Sequence, residues 1–236
     1  MPDTAPTLPP PLRGISSMAT RLVLAELAEA WAGQGGAPVI FESVGGVDAA
    51  KRVAAGEAFD LVVLASDAVD KLIASGSVRP GSRVDLVRSG VAVAVAAGAP
   101  QPDLGSEDAV RAAVLAAPTI GYSTGPSGVA LAKLFERWGI AEAIAPRTVQ
   151  APPGVPVGQL VAEGRIALGF QQLSELIHVP GITIVGPLPP AIQIDTVFSA
   201  AVCSASARPE AAAALIAYLA GPAAEAAKRR QGMVPA

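Results

Sequence analysis

Apolar residues fall along the chain in two alternating patterns. Short, nearly continuous runs give way to longer stretches in which apolar residues recur every three or four positions. The first pattern marks buried strands, the second marks helices with one apolar face. Residues 12–16 read as a strand and 19–34 as a helix with the stripe Leu22, Leu27, Ala30 and Trp31, ended by Gly35-Gly36. A strand at 39–41 and a short helix at 47–56 follow. The valine-rich run Leu61-Val62-Val63-Leu64-Ala65 has no polar position, as a strand covered on both faces requires. Ser66 is placed to cap a helix that starts at Asp67 and stops at Gly76. The order βαβαβα predicts a parallel sheet covered by helices.

The second half repeats the alternation. A long apolar strand at 91–97 runs into the turn Gly98-Ala99-Pro100-Gln101-Pro102, and Ser106 is placed to cap the next helix. Strands at 119–122, near Val149, at 167–171 and at 182–185 alternate with helices at 127–138 and 155–163. A further long strand, 196–202, precedes helices opening with Pro209 and Pro222, residues suited to a first helical turn. Strands 91–97 and 196–202 bracket a self-contained α/β middle, so they are expected to cross between two lobes. One lobe would hold residues 1–88 and 195–236, the other 89–194. A cleft then lies between them, where strand C-termini and helix N-termini converge.

Composition narrows the class. The 236 residues are 51% hydrophobic and 16% charged, which excludes a disordered chain or a coiled coil. A net charge of −3 argues against a nucleic-acid partner, which calls for a basic patch. Cys203 and His178 are each alone of their kind, so neither a disulfide framework nor a multi-Cys or multi-His metal site is available. No metal or cofactor is expected. No apolar stretch reaches the roughly 18–20 residues of a membrane span. The start Met1-Pro2-Asp3-Thr4, with Pro9-Pro10-Pro11 behind it, lacks the basic and apolar regions of an export signal. As written, the chain is expected to be a cytoplasmic monomer; a periplasmic protein supplied without its leader is the alternative.

Four strand-to-helix junctions concentrate glycine and hydroxyl residues. They are Gly14-Ile15-Ser16-Ser17-Met18, Ser43-Val44-Gly45-Gly46-Val47, Gly121-Tyr122-Ser123-Thr124-Gly125-Pro126-Ser127-Gly128 and Pro152-Pro153-Gly154-Val155-Pro156. A first helical turn leaves backbone N–H groups unpaired and carries partial positive charge, glycine lets a ligand approach, and serine adds a donor. One such junction is an ordinary cap or turn. Two from each lobe, facing one another, would trap an anion without any lysine or arginine. Ser66 is a further hydroxyl at a strand end and joins the candidates. Gln171 and Gln172 end a strand, where period two sends one of them away from any given site.

Other segments read as bland. Gly121-Tyr122-Ser123-Thr124-Gly125 matches the G-x-S-x-G hydrolase pattern, with His178 and either Glu163 or Glu175 to complete a triad. The helix is expected past Pro126, which is too late for a nucleophile elbow. Arg79, Arg83 and Arg88 are expected to be solvated or to pair with Asp85, and Lys228-Arg229-Arg230 to form the cationic end of a helix.

A collinear series through the chain resembles the periplasmic molybdate-binding proteins that feed ABC importers, a family of the type II two-lobed periplasmic-binding-protein fold. It runs through Ile15-Ser16-Ser17-Met18, Gly45-Gly46, Phe59-Asp60-Leu61-Val62-Val63-Leu64-Ala65-Ser66-Asp67, Pro80-Gly81-Ser82-Arg83, Val161-Ala162-Glu163-Gly164, Pro209-Glu210-Ala211-Ala212 and Leu219-Ala220-Gly221-Pro222. The resemblance implies that Ser17 matches the first oxyanion-binding serine and that Ser127-Gly128 and Gly154-Val155 match the second-lobe helix starts. Val47 stands where a second serine is expected. Gln172, or Gln171 with the alignment moved by one residue, stands where a tyrosine is expected. With two of three side-chain donors changed, the cleft is implied but molybdate is not. The runs Gly169-Phe170-Gln171-Gln172-Leu173-Ser174-Glu175-Leu176 and Gly186-Pro187-Leu188-Pro189-Pro190 resemble a branch that includes aconitate isomerases. The expected function is therefore binding of a small anionic solute, an organic carboxylate or oxyanion, with ABC importer subunits as partners if the chain is exported. The alternative is an isomerase of small unsaturated polycarboxylates. Its catalytic base would come from Glu42, Asp48, Asp67, Glu175 or His178, none of them marked out by sequence.

Overall fold

The computed structural model describes residues 10–236; the opening segment on which the export signal was judged, residues 1–9, lies outside them. The chain runs β1 (Leu12–Ser17), α1 (Arg21–Gly33), β2 (Val39–Val44), α2 (Gly46–Ala54), β3 (Leu61–Ala65), α3 (Ser66–Ala74), β4 (Val84–Ala96), α4 (Glu107–Ala116), β5 (Ile120–Tyr122) and α5 (Pro126–Arg137). It continues through α6 (Ala141–Ile144), β6 (Thr148–Gln150), α7 (Val157–Ala162), β7 (Leu168–Gln172), α8 (Leu173–Leu176), β8 (Ile182–Pro187), β9 (Asp195–Val202), α9 (Pro209–Ala220), α10 (Glu225–Arg230) and β10 (Val234–Pro235).

The strands form two lobes. In the first, β1 lies between β2 and β3, all parallel, and β9 runs antiparallel between β3 and β4. In the second, β7 lies between β5, parallel, and β4, antiparallel, with β6 beyond β5 and β8 against β4. Each sheet has an apolar layer on both faces. Leu61, Val63 and Ala65 of β3 enter one cluster with α1 and α9, while Val62 and Leu64 enter another with Val53 and Val69. The alternation in β4 is the same, Val91, Val93 and Val95 facing one way and Ala92 and Ala94 the other. Runs without polar positions follow from this double burial.

The hinge differs from the sequence expectation. β4 is the one strand that crosses: Val84–Gly90 pair with β9, and Val91–Ala96 pair with β7 and β8. β9 stays within the first sheet, and the return passage is the short segment before Asp195, held where Val91 N–H donates to Ile194 O at 3.0 Å. A β-carbon on Gly90 would lie 2.9 Å from both Asp195 Oδ1 and Gln193 Nε2, so a larger residue at the crossing would push these two side-chain ends aside.

One local expectation is corrected. Ser66 does not cap α3. Ala65 holds the cap position, and the Ser66 hydroxyl donates instead to Val197 O or meets Ser199 Oγ at 2.7 Å on β9. Lys228-Arg229-Arg230 form the cationic end of α10 as expected, with Lys228 itself buried and its ammonium pKa pushed down by that burial. Ser106 caps α4 as expected, accepting the Ala109 N–H at 3.1 Å, and Arg83 pairs with Asp85 and Asp70.

Candidate functional site

The two lobes meet where β1 and β7 end. The one-turn 3-10 helix Met18–Thr20 that follows Ser17 packs against α8, which follows Gln172. Across the same gap, a β-carbon on Gly45 would lie 3.7 Å from Pro153 Cβ, and within the first lobe one on Gly46 would lie 3.8 Å from Ser17 Cβ. Ser17, Gly45-Gly46, Pro153 and Gln172 therefore gather around one narrow cleft.

Adjacent residues at the strand ends take opposite roles because their side chains point to opposite faces. Ser16 is buried and its hydroxyl pairs with Ser43 Oγ at 2.8 Å, so it is engaged inside the first lobe. Ser17 is also buried, yet its Oγ has no hydrogen-bond partner. On β7, Gln171 Oε1 accepts the Gly158 N–H at 3.2 Å, and its Nε2 donates to Glu175 Oε1 at 2.9 Å. Gln172 Nε2 reaches across the lobes to Thr196 Oγ1 at 2.8 Å, which leaves its Oε1 without a partner. Among the described residues, Ser17 Oγ and Gln172 Oε1 are the two sealed-off side-chain polar atoms left unpaired. Turning the Gln172 amide over would let the Thr196 hydroxyl donate to its oxygen and direct its NH₂ at the cleft.

The remaining candidates divide. Ser127 is buried at the start of α5, and its hydroxyl bonds to no described residue. Gly128 lies so close to the Ser123 carbonyl that a β-carbon would stand 1.8 Å from it. Ser123 Oγ accepts the Gly125 N–H at 3.4 Å, and Thr124 and Val47 are exposed. The fourth junction differs from its expected form. α7 starts at Val157, two residues later than expected, because Val155 N–H closes a turn onto Pro152 O and Gly154 takes φ +79°. The Gly158 N–H that α7 does present is already taken by Gln171.

Of the five proposed proton-transfer groups, three are engaged elsewhere: Glu42 pairs with Arg52, Asp67 pairs with Lys71, and His178 is exposed against Gln231 Oε1. Asp48 is exposed in the first turn of α2, its Oδ2 3.5 Å from where a β-carbon on Gly45 would stand. Glu163 meets Gln159 and Arg165, and no hydrogen bond links Ser123, His178 and either glutamate, so no hydrolase triad is assembled. Glu175 is different. It is half-buried in the interlobe region, and burial raises its pKa to about 7, against smaller lowering effects of the Gln171 amide and the Arg21 charge. Arg21, the first residue of α1, is exposed and makes no ion pair or side-chain hydrogen bond among the described residues. Sequence reading missed it; its position four residues beyond Ser17, in the first turn after a candidate junction, was the available signal. A separate groove of about 490 Å³ beside the hinge is lined by Arg88, Gly90, Leu173, Gln193 and Asp195, and by none of the candidate residues.

Comparison with known proteins decides the family. The family model described as bacterial extracellular solute-binding protein matches residues 12–234. The chain belongs to this family. A protein from a Pseudomonas species named aconitate isomerase is 44% identical over 185 residues, covering 78% of this chain and 70% of that protein. The periplasmic molybdate-binding protein of Azotobacter vinelandii superposes with a TM-score of 0.78 at 24% identity, over 94% of this chain and 98% of that one. The tungstate-binding protein of Desulfovibrio alaskensis G20 gives 0.70 at 16% identity, over 97% and 99%. These two structures share the fold of this solute-binding chain, the type II periplasmic-binding-protein architecture of two α/β lobes. No helix among the described residues is long and apolar enough to cross a membrane.

Proposed function

We propose that this solute-binding chain closes its two lobes on a small organic polyanion, a di- or tricarboxylate. The observation that carries the reading is the pair of unpaired buried atoms, Ser17 Oγ from one lobe and Gln172 Oε1 from the other, at the same cleft. With the Gln172 amide turned over, the Thr196 hydroxyl donates to its oxygen and its NH₂ joins the Ser17 hydroxyl as a donor, so a carboxylate accepting from both recovers the roughly 1–3 kcal/mol that an unpaired buried polar atom costs. An extended acid fits better than a compact oxyanion for three reasons. Val47 and Gln172 supply no hydroxyl, the α7 amide is occupied by Gln171, and Arg21 offers a guanidinium at the cleft edge. In this reading the chain works as a monomer outside the cytoplasmic membrane and delivers its ligand to ABC importer subunits.

A second reading places isomerisation of an unsaturated polycarboxylate in the same cleft. The 44% identical aconitate isomerase favours it. A thermal-shift panel of citrate, tricarballylate, cis- and trans-aconitate, molybdate and tungstate tests the binding reading. Polycarboxylates should raise the melting temperature, with about 2.7 kcal/mol of stabilisation at a hundredfold excess over the dissociation constant. A flat response to every polycarboxylate would overturn it.

A further inference from the structure

Resting on the isomerase reading, we propose that Glu175 is the catalytic residue that carries the proton, and that Arg21 holds the substrate carboxylate beside the reacting carbon from the opposite lobe. Neither role follows from the family comparison. Both follow from how one carboxyl group is held.

Gly158 N–H can only donate, so it fixes the Gln171 amide with Oε1 toward the helix and Nε2 toward Glu175. Glu175 Oε1 must therefore accept, and a proton on this carboxyl sits on Oε2. That second oxygen has no hydrogen-bond partner among the described residues, yet it is absent from the sealed-off unpaired atoms, so solvent reaches it. The elements packed against α8 are β7, α7, β4 and the Met18–Thr20 turn. The first two and the turn carry no ionisable side chain, whereas β4 meets α8 through Ser89, 3.4 Å from the Ser174 hydroxyl, and its Arg88 lines a groove with Leu173. The cation whose charge lowers the Glu175 pKa is Arg21 of α1, and burial outweighs it, holding the carboxyl at about 7, where it both takes and returns a proton at neutral pH.

In the step, ionised Glu175 Oε2 removes a proton from the methylene carbon between a carboxylate and the C=C bond. The C–H electron pair becomes the new double bond, and the old double bond moves its pair to the far alkene carbon. The same Oε2–H then protonates that carbon. One C–H bond breaks and one forms, with no oxidant, reductant or water consumed. Negative charge gathers on the conjugated carboxylate during transfer, and a guanidinium there stabilises it by a charge-assisted pair.

The test follows trans-aconitate with the intact chain in D₂O by proton NMR, with tricarballylate thermal shift as the binding control. Wild type should form the cis isomer and exchange methylene protons for deuterium. Glu175→Gln should lose about a hundredfold or more in turnover while keeping the tricarballylate shift. Glu175→Asp should recover part of the turnover with a displaced pH limb, and Arg21→Ala should raise KM more than it lowers kcat. If wild type and Glu175→Gln turn over equally, the assignment falls and the isomerase reading stands. If wild type binds tricarballylate but neither isomerises nor exchanges, the isomerase reading falls with the proposal and the binding reading stands. Should Glu175→Gln not fold, a Glu175→Asp limb identical to wild type would overturn the assignment.

Discussion

Ser16 and Ser17 are neighbours with the same side chain and separate fates. One hydroxyl ties β1 to Ser43 on β2, and the other faces the cleft unpaired. Replacing Ser17 with alanine should weaken polycarboxylate binding by about 1–3 kcal/mol while leaving the unliganded melting temperature unchanged or higher. Isothermal titration alongside calorimetric melting would check both halves. Glu175 makes a second prediction at this scale. Its folded pKa of about 7 lies above the unfolded value of 4.5, so the native state binds the extra proton more tightly between those values. Stability from this group should then fall as pH rises from about 4.5 to 7 and stay level above, a loss of roughly 3 kcal/mol. Urea melts of wild type and Glu175→Gln across pH 4–8 should converge at the acid end, with the variant the more stable at pH 8.

Elements position these side chains through close backbone contacts. The first turn of α5 lies against the Ser123 carbonyl, and the missing side chain of Gly128 is what permits it. Gly128→Ala drives a methyl into the Ser123 carbonyl, so it should cost about 2 kcal/mol or more in urea unfolding and displace the start of α5. The sequence placed α5 within a residue of its start because Pro126 suits a first helical turn. It placed α7 two residues early because Val155 has no local feature that announces a turn onto Pro152. That displacement matters: it turns an expected anion-binding tip into the anchor of Gln171.

At the scale of the whole molecule, function depends on the lobes meeting. A β-carbon at Gly45 would stand 3.7 Å from Pro153 Cβ, within the range a disulfide spans. The double variant Gly45→Cys/Pro153→Cys should lock the cleft shut when oxidised, blocking ligand exchange in a stopped-flow measurement, and should release it on reduction. Cys203 is buried and should not interfere. Sequence by itself determined the two α/β lobes, the doubly buried strands, the Ser106 cap and the candidacy of Ser17 and Gln172, because periodicity, capping chemistry and junction composition are local. Tertiary structure alone decided that Ser16 and Ser66 are engaged, that β9 stays in one sheet, that Gln171 serves α7, and that burial raises the Glu175 carboxyl to about 7. Those outcomes turn on which side chains from distant segments share one volume and on how far water is excluded from it, and neither quantity is written in the spacing of residues along a chain.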